Sequence, residues 1–219
     1  MKVSERLRKD ADDVWEKIIE HPFVVELYSG TLPMEKFRFY ILQDYNYLIA
    51  SIKNFSIISS KADSIDAMKE VTEIVHIESV SELKGYEEFL GKLGYTIEDA
   101  GNIEPIPMNV SYANFLFSTS SLKSYAESIA SVLPCFWSYT EIAEHHKNKL
   151  EKNKNRSYID WASVYLSEPY VNLVKKIRRL VDESGETVSY EMLKKTFITA
   201  SKYEYMYWDA VYNMDTWPI

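Results

Sequence analysis

Cysteine is almost missing from this chain: Cys135 is the only one in 219 residues. That excludes an internal disulfide and any metal site built from several thiolates. Glycine is scarce at 6, and no glycine-rich phosphate loop, dinucleotide fingerprint or Gly-x-Ser-x-Gly elbow occurs. Nucleotide hydrolysis and serine-hydrolase chemistry therefore lack their usual signatures. The 4 histidines include no sequence neighbour of Cys135, so a protease-like Cys/His pair has no local support. No window approaches the roughly 20 consecutive apolar residues of a membrane-spanning helix. Residues 1–6 turn charged at once, without the apolar stretch of a secretory signal, so a cytoplasmic location without a membrane partner is expected. Positive charge is in the minority, with 25 Lys and Arg against 33 Asp and Glu and a net charge of −8. An acidic chain without a large basic patch is a poor candidate for nucleic acid. Its one basic cluster, Lys175-Lys176-Ile177-Arg178-Arg179, sits mid-helix and reads as a solvated face.

What is present is an ordinary core composition, 46% apolar and 26% charged, over a length that one large domain, 1–219, can hold. Nearly every segment carries helical period. Leu7, Ala11, Val14, Trp15 and Ile18 predict a helix over 4–20, with Ser4 as its N-cap. His21-Pro22 opens a short helix that stops at Gly30; Thr31 caps the next, with Pro33 in its first turn, and that helix runs to about 62. Asp63-Ser64 restarts the chain into a helix reaching 90, and Gly91, Gly94, Gly101, Pro105 and Pro107 mark a loop. Asn109 caps a helix to 117, Ser118-Thr119-Ser120-Ser121 breaks it, and a helix over 122–149 follows with a kink expected at Pro134. Residues 147–156 form an exposed connection. Trp161 and Tyr165 share a short helix, Glu168-Pro169 opens another that ends near Gly185, and a last one spans 188–213. Strand signals are nearly absent. The fold class is all-α, a single helical bundle.

Tyrosine is the outlier, at 17 residues. Each hydroxyl wants a partner, which suits either a wet interface or a polar aromatic pocket. Three pairs stand out: Asp44 with Tyr47, Cys135 with Tyr139, and Glu204 with Tyr207. Their spacings place each pair on one helix face, amid apolar and aromatic neighbours. A carboxylate on such a face loses several kcal/mol of hydration unless it is paired, hydrogen-bonded or protonated. The alternatives are a helix-to-helix hydrogen bond in the core, a subunit contact, or a site. Cys135 follows Pro134, and a kink there opens space for a ligand; equally, a lone cysteine is often a small buried filler. For metal, Glu73 and His76 form one Glu-x-x-His, and Glu141, Glu144 and His145 a second set. A di-metal bundle wants two Glu-x-x-His motifs plus two further glutamates, and His145-His146 beside Lys147 reads as exposed. No metal is assigned.

Several motifs, in order, resemble the thiaminase II (TenA) family. They are His21-Pro22-Phe23 with Gly30-Thr31-Leu32; Phe37, Tyr40 and Gln43-Asp44-Tyr45-x-Tyr47-Leu48; Leu133-Pro134-Cys135-x-Trp137-x-Tyr139; Trp161-x-x-x-Tyr165; and Tyr203-Glu204-Tyr205-Met206-Tyr207-Trp208-Asp209. The resemblance spans nearly the whole chain. It implies a heme-oxygenase-like fold, a homotetramer, no cofactor, and hydrolysis of an aminopyrimidine, or more weakly thiamin, in salvage of the pyrimidine. Carried over, Cys135 is the nucleophile and Glu204 the general acid and base. Asp44 bonds the ring amine or a ring nitrogen, and Tyr47, Tyr112, Tyr139, Tyr165 and Tyr207 stack on or bond the heterocycle. Two residues depart from the family pattern: Tyr207 replaces the usual phenylalanine, and Glu82, four residues after Glu78, stands where a histidine is expected. Competing readings are an oxygen-using or di-metal oxidase on the same fold, resting on Glu73, His76, Glu141, Glu144 and His145, and a non-catalytic helical protein that binds a pyrimidine or a partner chain.

Overall fold

The computed structural model describes residues 1–219 and consists of helices and turns, without a strand. The N-terminal stretch forms two helices where one is expected. α1 (Val3–Asp10) and α2 (Asp12–Ile19) meet at Ala11, whose φ of −101° and ψ of 9° interrupt the helix. Leu7, Ala11, Trp15 and Ile18 are nevertheless all buried, so the apolar face survives the break. Ser4 is not a cap. It lies buried inside α1, and its amide donates to Asp182 at 2.7 Å.

α3 (Pro22–Ser29) begins where the His21 Nδ1 accepts from the Phe23 amide, and it stops at Gly30 with φ +83°. A Cβ at Gly30 would stand 2.6 Å from the Asn153 side chain, so both backbone and space require glycine. α4 (Met34–Ser60) starts behind Pro33 rather than at Thr31, because the Thr31 hydroxyl turns back toward Ser29 and the Glu26 carbonyl at the end of α3.

Ser64 caps α5 (Ile65–His76) through the Ala67 amide. The chain continues through a π-helical turn, Ile77–Glu82, into α6 (Leu83–Leu93), which Gly94 ends in the left-handed region. After α7 (Ile97–Gly101), α8 (Pro107–Leu122) starts at its proline, and Asn109 lies within it, donating to the Gln43 carbonyl at 2.7 Å. α8 also runs through the serine cluster where a break is expected. Ser120 is buried there and bonds Asn54 and the Leu116 carbonyl, so its hydroxyl is satisfied without leaving the helix. The break falls at Lys123 instead. Ser124 then caps α9 (Tyr125–His145) in a reciprocal capping box with Glu127.

α9 is the central helix, buried on nearly every face and packed against α13, α12 and α8. It continues past Pro134 as one unbroken helix. α10 (Lys147–Leu150), α11 (Arg156–Val164), α12 (Glu168–Ser184), a short 3₁₀ turn and α13 (Tyr190–Asn213) complete the chain. The basic cluster lies on α12 against α5, where Lys176 pairs with Glu73 at 2.5 Å and Arg179 meets Glu70. Arg178 instead lays its guanidinium 3.9 Å from the Trp137 ring centre.

Candidate active site

One stripe of α4 supplies Tyr40, Asp44, Tyr47, Leu48 and Ser51, residues spaced by three or four along a single helix face. Opposite it, the π turn contributes Glu78 and Glu82. α8 adds Tyr112, α9 adds Cys135, Phe136 and Tyr139, and α13 adds Glu204 and Tyr207. Tyr165, just after α11, and Tyr170 on α12 close the ring. These fifteen residues line a cavity of about 60 Å³. A water needs about 10–15 Å³ on this measure, so the space holds on the order of four to six water-sized groups, comparable with one six-membered ring.

Acids without bases dominate its electrostatics. Glu204 is 2% exposed, and Tyr112 donates to its Oε1 at 2.6 Å. Burial pushes Glu204 up to about 7 against that hydrogen bond. Asp44 is pushed up to about 8 by burial and by the negative charges of Glu82 and Glu204, against the neighbouring Tyr40 hydroxyl. Glu78 is also raised by burial and by Glu82, although Ser51 donates to its Oε1 at 2.7 Å. Glu82 stands where the cavity meets solvent. Its residue surface is exposed, yet its carboxyl lines the wall, and loss of hydration pushes it up to about 7. Burial and the charge of Glu204 push the Cys135 thiol up, while the neighbouring Tyr47 hydroxyl acts in the opposite direction. The thiol donates to the Val132 carbonyl at 2.9 Å, so at rest it is a neutral, hydrogen-bonded group. No lysine, arginine or histidine lines the space.

The walls are tyrosine. Tyr47 and Tyr112 stand 5.2 Å apart between ring centres, Tyr139 and Tyr165 4.8 Å, and Tyr165 and Tyr170 5.0 Å. Tyr170 donates to the Phe136 carbonyl at 3.1 Å. The hydroxyls of Tyr40, Tyr47 and Tyr207 and the Oε2 of Glu78 are buried without a partner in good hydrogen-bond geometry, although Tyr47 stands close to Cys135 and Tyr40 close to Asp44. A buried unpaired polar atom costs about 1–3 kcal/mol. Four such atoms on residues of one cavity are suited to a polar guest.

The structure brings together all eight residues singled out in the sequence. Asp44, Tyr47, Tyr112, Cys135, Tyr139, Tyr165, Glu204 and Tyr207 all line the cavity. Trp161 stands behind them, against Tyr139 and Tyr165. Sequence spacing missed Tyr40, Leu48, Ser51, Phe136 and Tyr170, and it gave Glu78 and Glu82 no role. Tyr40, Leu48 and Ser51 were within reach, since they continue the stripe of Asp44 and Tyr47. The π turn had no sequence signal.

The five residues behind the di-metal alternative do not converge on the cavity. Glu73 pairs with Lys176, Glu141 with Arg8 at 2.8 Å, and His145 with Glu20 at 2.9 Å; His76 and Glu144 are exposed. His146 departs from its expected exposure: it is 1% exposed and bonds the Ile19 carbonyl at 2.8 Å. Its ring packs against Tyr28 where α9 ends.

The model of the TENA/THI-4/PQQC family matches residues 8–214. A curated aminopyrimidine aminohydrolase from Helicobacter pylori is 32% identical over 216 residues, which cover 97% of this chain and 100% of that one. The solved structure of a TenA homologue protein from P. horikoshii OT3 superposes with a TM-score of 0.95 at 43% identity, covering 98% of this chain and 100% of the other. A domain of unknown function with a heme oxygenase-like fold from Shewanella denitrificans os217 superposes with a TM-score of 0.77 at 13% identity, covering 96% and 92%. That last likeness speaks to the fold alone, and the fold here is heme-oxygenase-like.

Proposed function

The chain belongs to the TENA/THI-4/PQQC family, and from that premise we propose that it is an aminopyrimidine aminohydrolase of the thiaminase II type. It replaces the amine on the exocyclic methylene of an aminopyrimidine with a hydroxyl. The observation that carries this reading is the meeting of Cys135, Glu204 and Asp44, from three separate helices, on one ring-sized, tyrosine-walled cavity.

The ring lies between tyrosine faces, and Asp44, raised to about 8, hydrogen-bonds the ring amine or a ring nitrogen. The Cys135 sulfur adds to the electron-poor ring while the thiol proton passes to a ring nitrogen. Addition splits one difficult displacement into two easier steps. Glu204 gives its proton to the amine, the C–N bond breaks, and ammonia leaves. Water then forms the new C–O bond at the methylene and returns a proton to Glu204. The C–S bond breaks, and the ring-nitrogen proton goes back to sulfur. A carboxyl poised near 7 suits both halves of this exchange.

The reading includes a homotetramer, a cytoplasmic location and no cofactor. No helix is long and apolar enough to cross a membrane. Light scattering on the purified chain reads the assembly directly: four copies of 25.6 kDa are expected. A cavity comparable with one ring favours aminomethylpyrimidine over the two-ring thiamin.

The deciding assay measures ammonia release from aminomethylpyrimidine, with thiamin alongside, for the parent and for Cys135→Ser. Release by the parent and none by the variant is expected. Undiminished release by Cys135→Ser removes the nucleophile from the scheme, and ligand binding without turnover by the parent favours a non-catalytic role.

A further inference from the structure

Two carboxylates of the cavity take no part in the reaction above. Glu78 and Glu82 both lie on the π turn Ile77–Glu82, within an otherwise continuous helical run from α5 to α6. Such turns often occur at functional sites, because the altered hydrogen bonding re-aims the side chains they carry. Glu78 is 1% exposed. Ser51 satisfies its Oε1 at 2.7 Å, whereas its Oε2 is buried with no partner on a residue that lines the cavity. Glu82 stands on the open side of the same space.

The sequestered acids outside the cavity have a donor or a cation. Glu127 is held by Ser124 at 2.9 Å and Lys123 at 3.3 Å, Glu141 by Arg8 at 2.8 Å, and Asp182 by the Ser4 amide at 2.7 Å. Glu78 and Glu82 share a cavity that no lysine, arginine or histidine lines. Removing a carboxylate from water without a counter-charge is costly. A small cation entering the cavity would supply what the chain withholds.

We propose that Glu78, Ser51 and Glu82 form an ammonium subsite that holds the protonated aminomethyl group of the substrate, beside the tyrosine walls that hold its ring. The proposal rests on the aminopyrimidine reading and narrows it to substrates with a cationic amine. Glu78 Oε2 accepts from the ammonium inside the cavity, and Glu82 attracts it at the mouth. Before the ring is attacked the ammonium passes one proton to Glu78, so the amine that receives the Glu204 proton is neutral, and the departing ammonia carries the Glu78 proton away. Neutral hydroxymethylpyrimidine, the product, gains nothing from these charges and is released.

The test is calorimetric titration of the full-length protein in a Cys135→Ser background with two ligands of nearly equal shape, aminomethylpyrimidine and hydroxymethylpyrimidine. The amine is expected to bind about tenfold tighter or more, a difference that one desolvated charge pair supports. Glu82→Gln, at the exposed mouth, should reduce that preference. Adding Glu78→Gln should bring it close to one while the affinity for the hydroxyl ligand stays within about twofold. Equal affinities in the parent, or equal weakening of both ligands in the variants, overturn the subsite. If neither pyrimidine binds, the aminopyrimidine reading fails, and benzylamine against benzyl alcohol then interrogates the subsite alone. A preference for benzylamine that Glu82→Gln reduces sustains it, and equal binding overturns it.

Discussion

The seam between α12 and its neighbours and the tyrosine-walled cavity treat acidic residues in opposite ways. Along the seam acids meet bases: Glu73 with Lys176, Glu70 and Glu183 with Arg179, and, nearby between α9 and α1, Glu141 with Arg8. In the cavity, Asp44, Glu78, Glu82 and Glu204 share one space without a single basic side chain. Most seam groups are partly hydrated, so each pair contributes little to stability, typically 0–1 kcal/mol. The cavity groups have lost hydration and gained no countercharge, which raises their pKa values above the ordinary range. The difference separates charge that is paired and partly hydrated from acids held without a partner base, the arrangement on which the proposed substrate site rests.

Substitutions in the two regions should therefore separate cleanly. The largest effect is expected from Cys135→Ser. It should lower ammonia release by about a thousandfold or more while the melting temperature moves little, because one small buried group replaces another. Retained activity would falsify the nucleophile.

Glu204→Gln comes next, with a loss of about 10²- to 10⁴-fold in kcat. The same variant carries a stability signature. Folded Glu204 holds its proton up to about 7 against an ordinary glutamate value of 4.5, while the unfolded chain releases it earlier. The folded state therefore binds more protons in that interval, and stability falls as pH rises from 4.5 to about 7, by on the order of 3 kcal/mol. Thermal melts at pH 5 and pH 8 should show this decline in the parent and less of it in Glu204→Gln. An unchanged slope would mean that the carboxyl is already ionised at low pH.

On the seam the pattern should invert. Arg8→Ala removes a two-oxygen contact to Glu141, with nitrogen–oxygen distances of 2.9 and 3.1 Å, and the cover over Trp15. A loss of about 1–2 kcal/mol, or a few degrees in melting temperature, is expected without a change in kcat. A kinetic defect there would dissolve the contrast between the regions.

The smallest expected effect is Tyr207→Phe. Its hydroxyl is buried and unpartnered, so its removal should leave stability equal or slightly higher. Turnover within about threefold of the parent would show that the ring wall matters and the extra hydroxyl does not; a larger loss would give that hydroxyl a substrate contact.

Helical period, the capping residue Ser64, the left-handed Gly30 and the stripe carrying Asp44 and Tyr47 were all legible in the chain, because each is decided within a few residues. The pairings of Cys135 with Tyr139 and Glu204 with Tyr207 were legible for the same reason. Errors gathered where distant partners overrule local preference. Ser120 stays helical because Asn54 receives its hydroxyl. Ser4 is buried in α1, where its amide reaches Asp182, and His146 is covered by Tyr28 where its sequence neighbours suggest water. The π turn belongs to the same class, and with it the placement of Glu78 and Glu82. Local chemistry thus determined an all-helical chain with three polar pairs on apolar faces. Only the tertiary structure decided that those faces meet around one void and that four acids enter it without a base, because both depend on contacts between residues far apart in the chain.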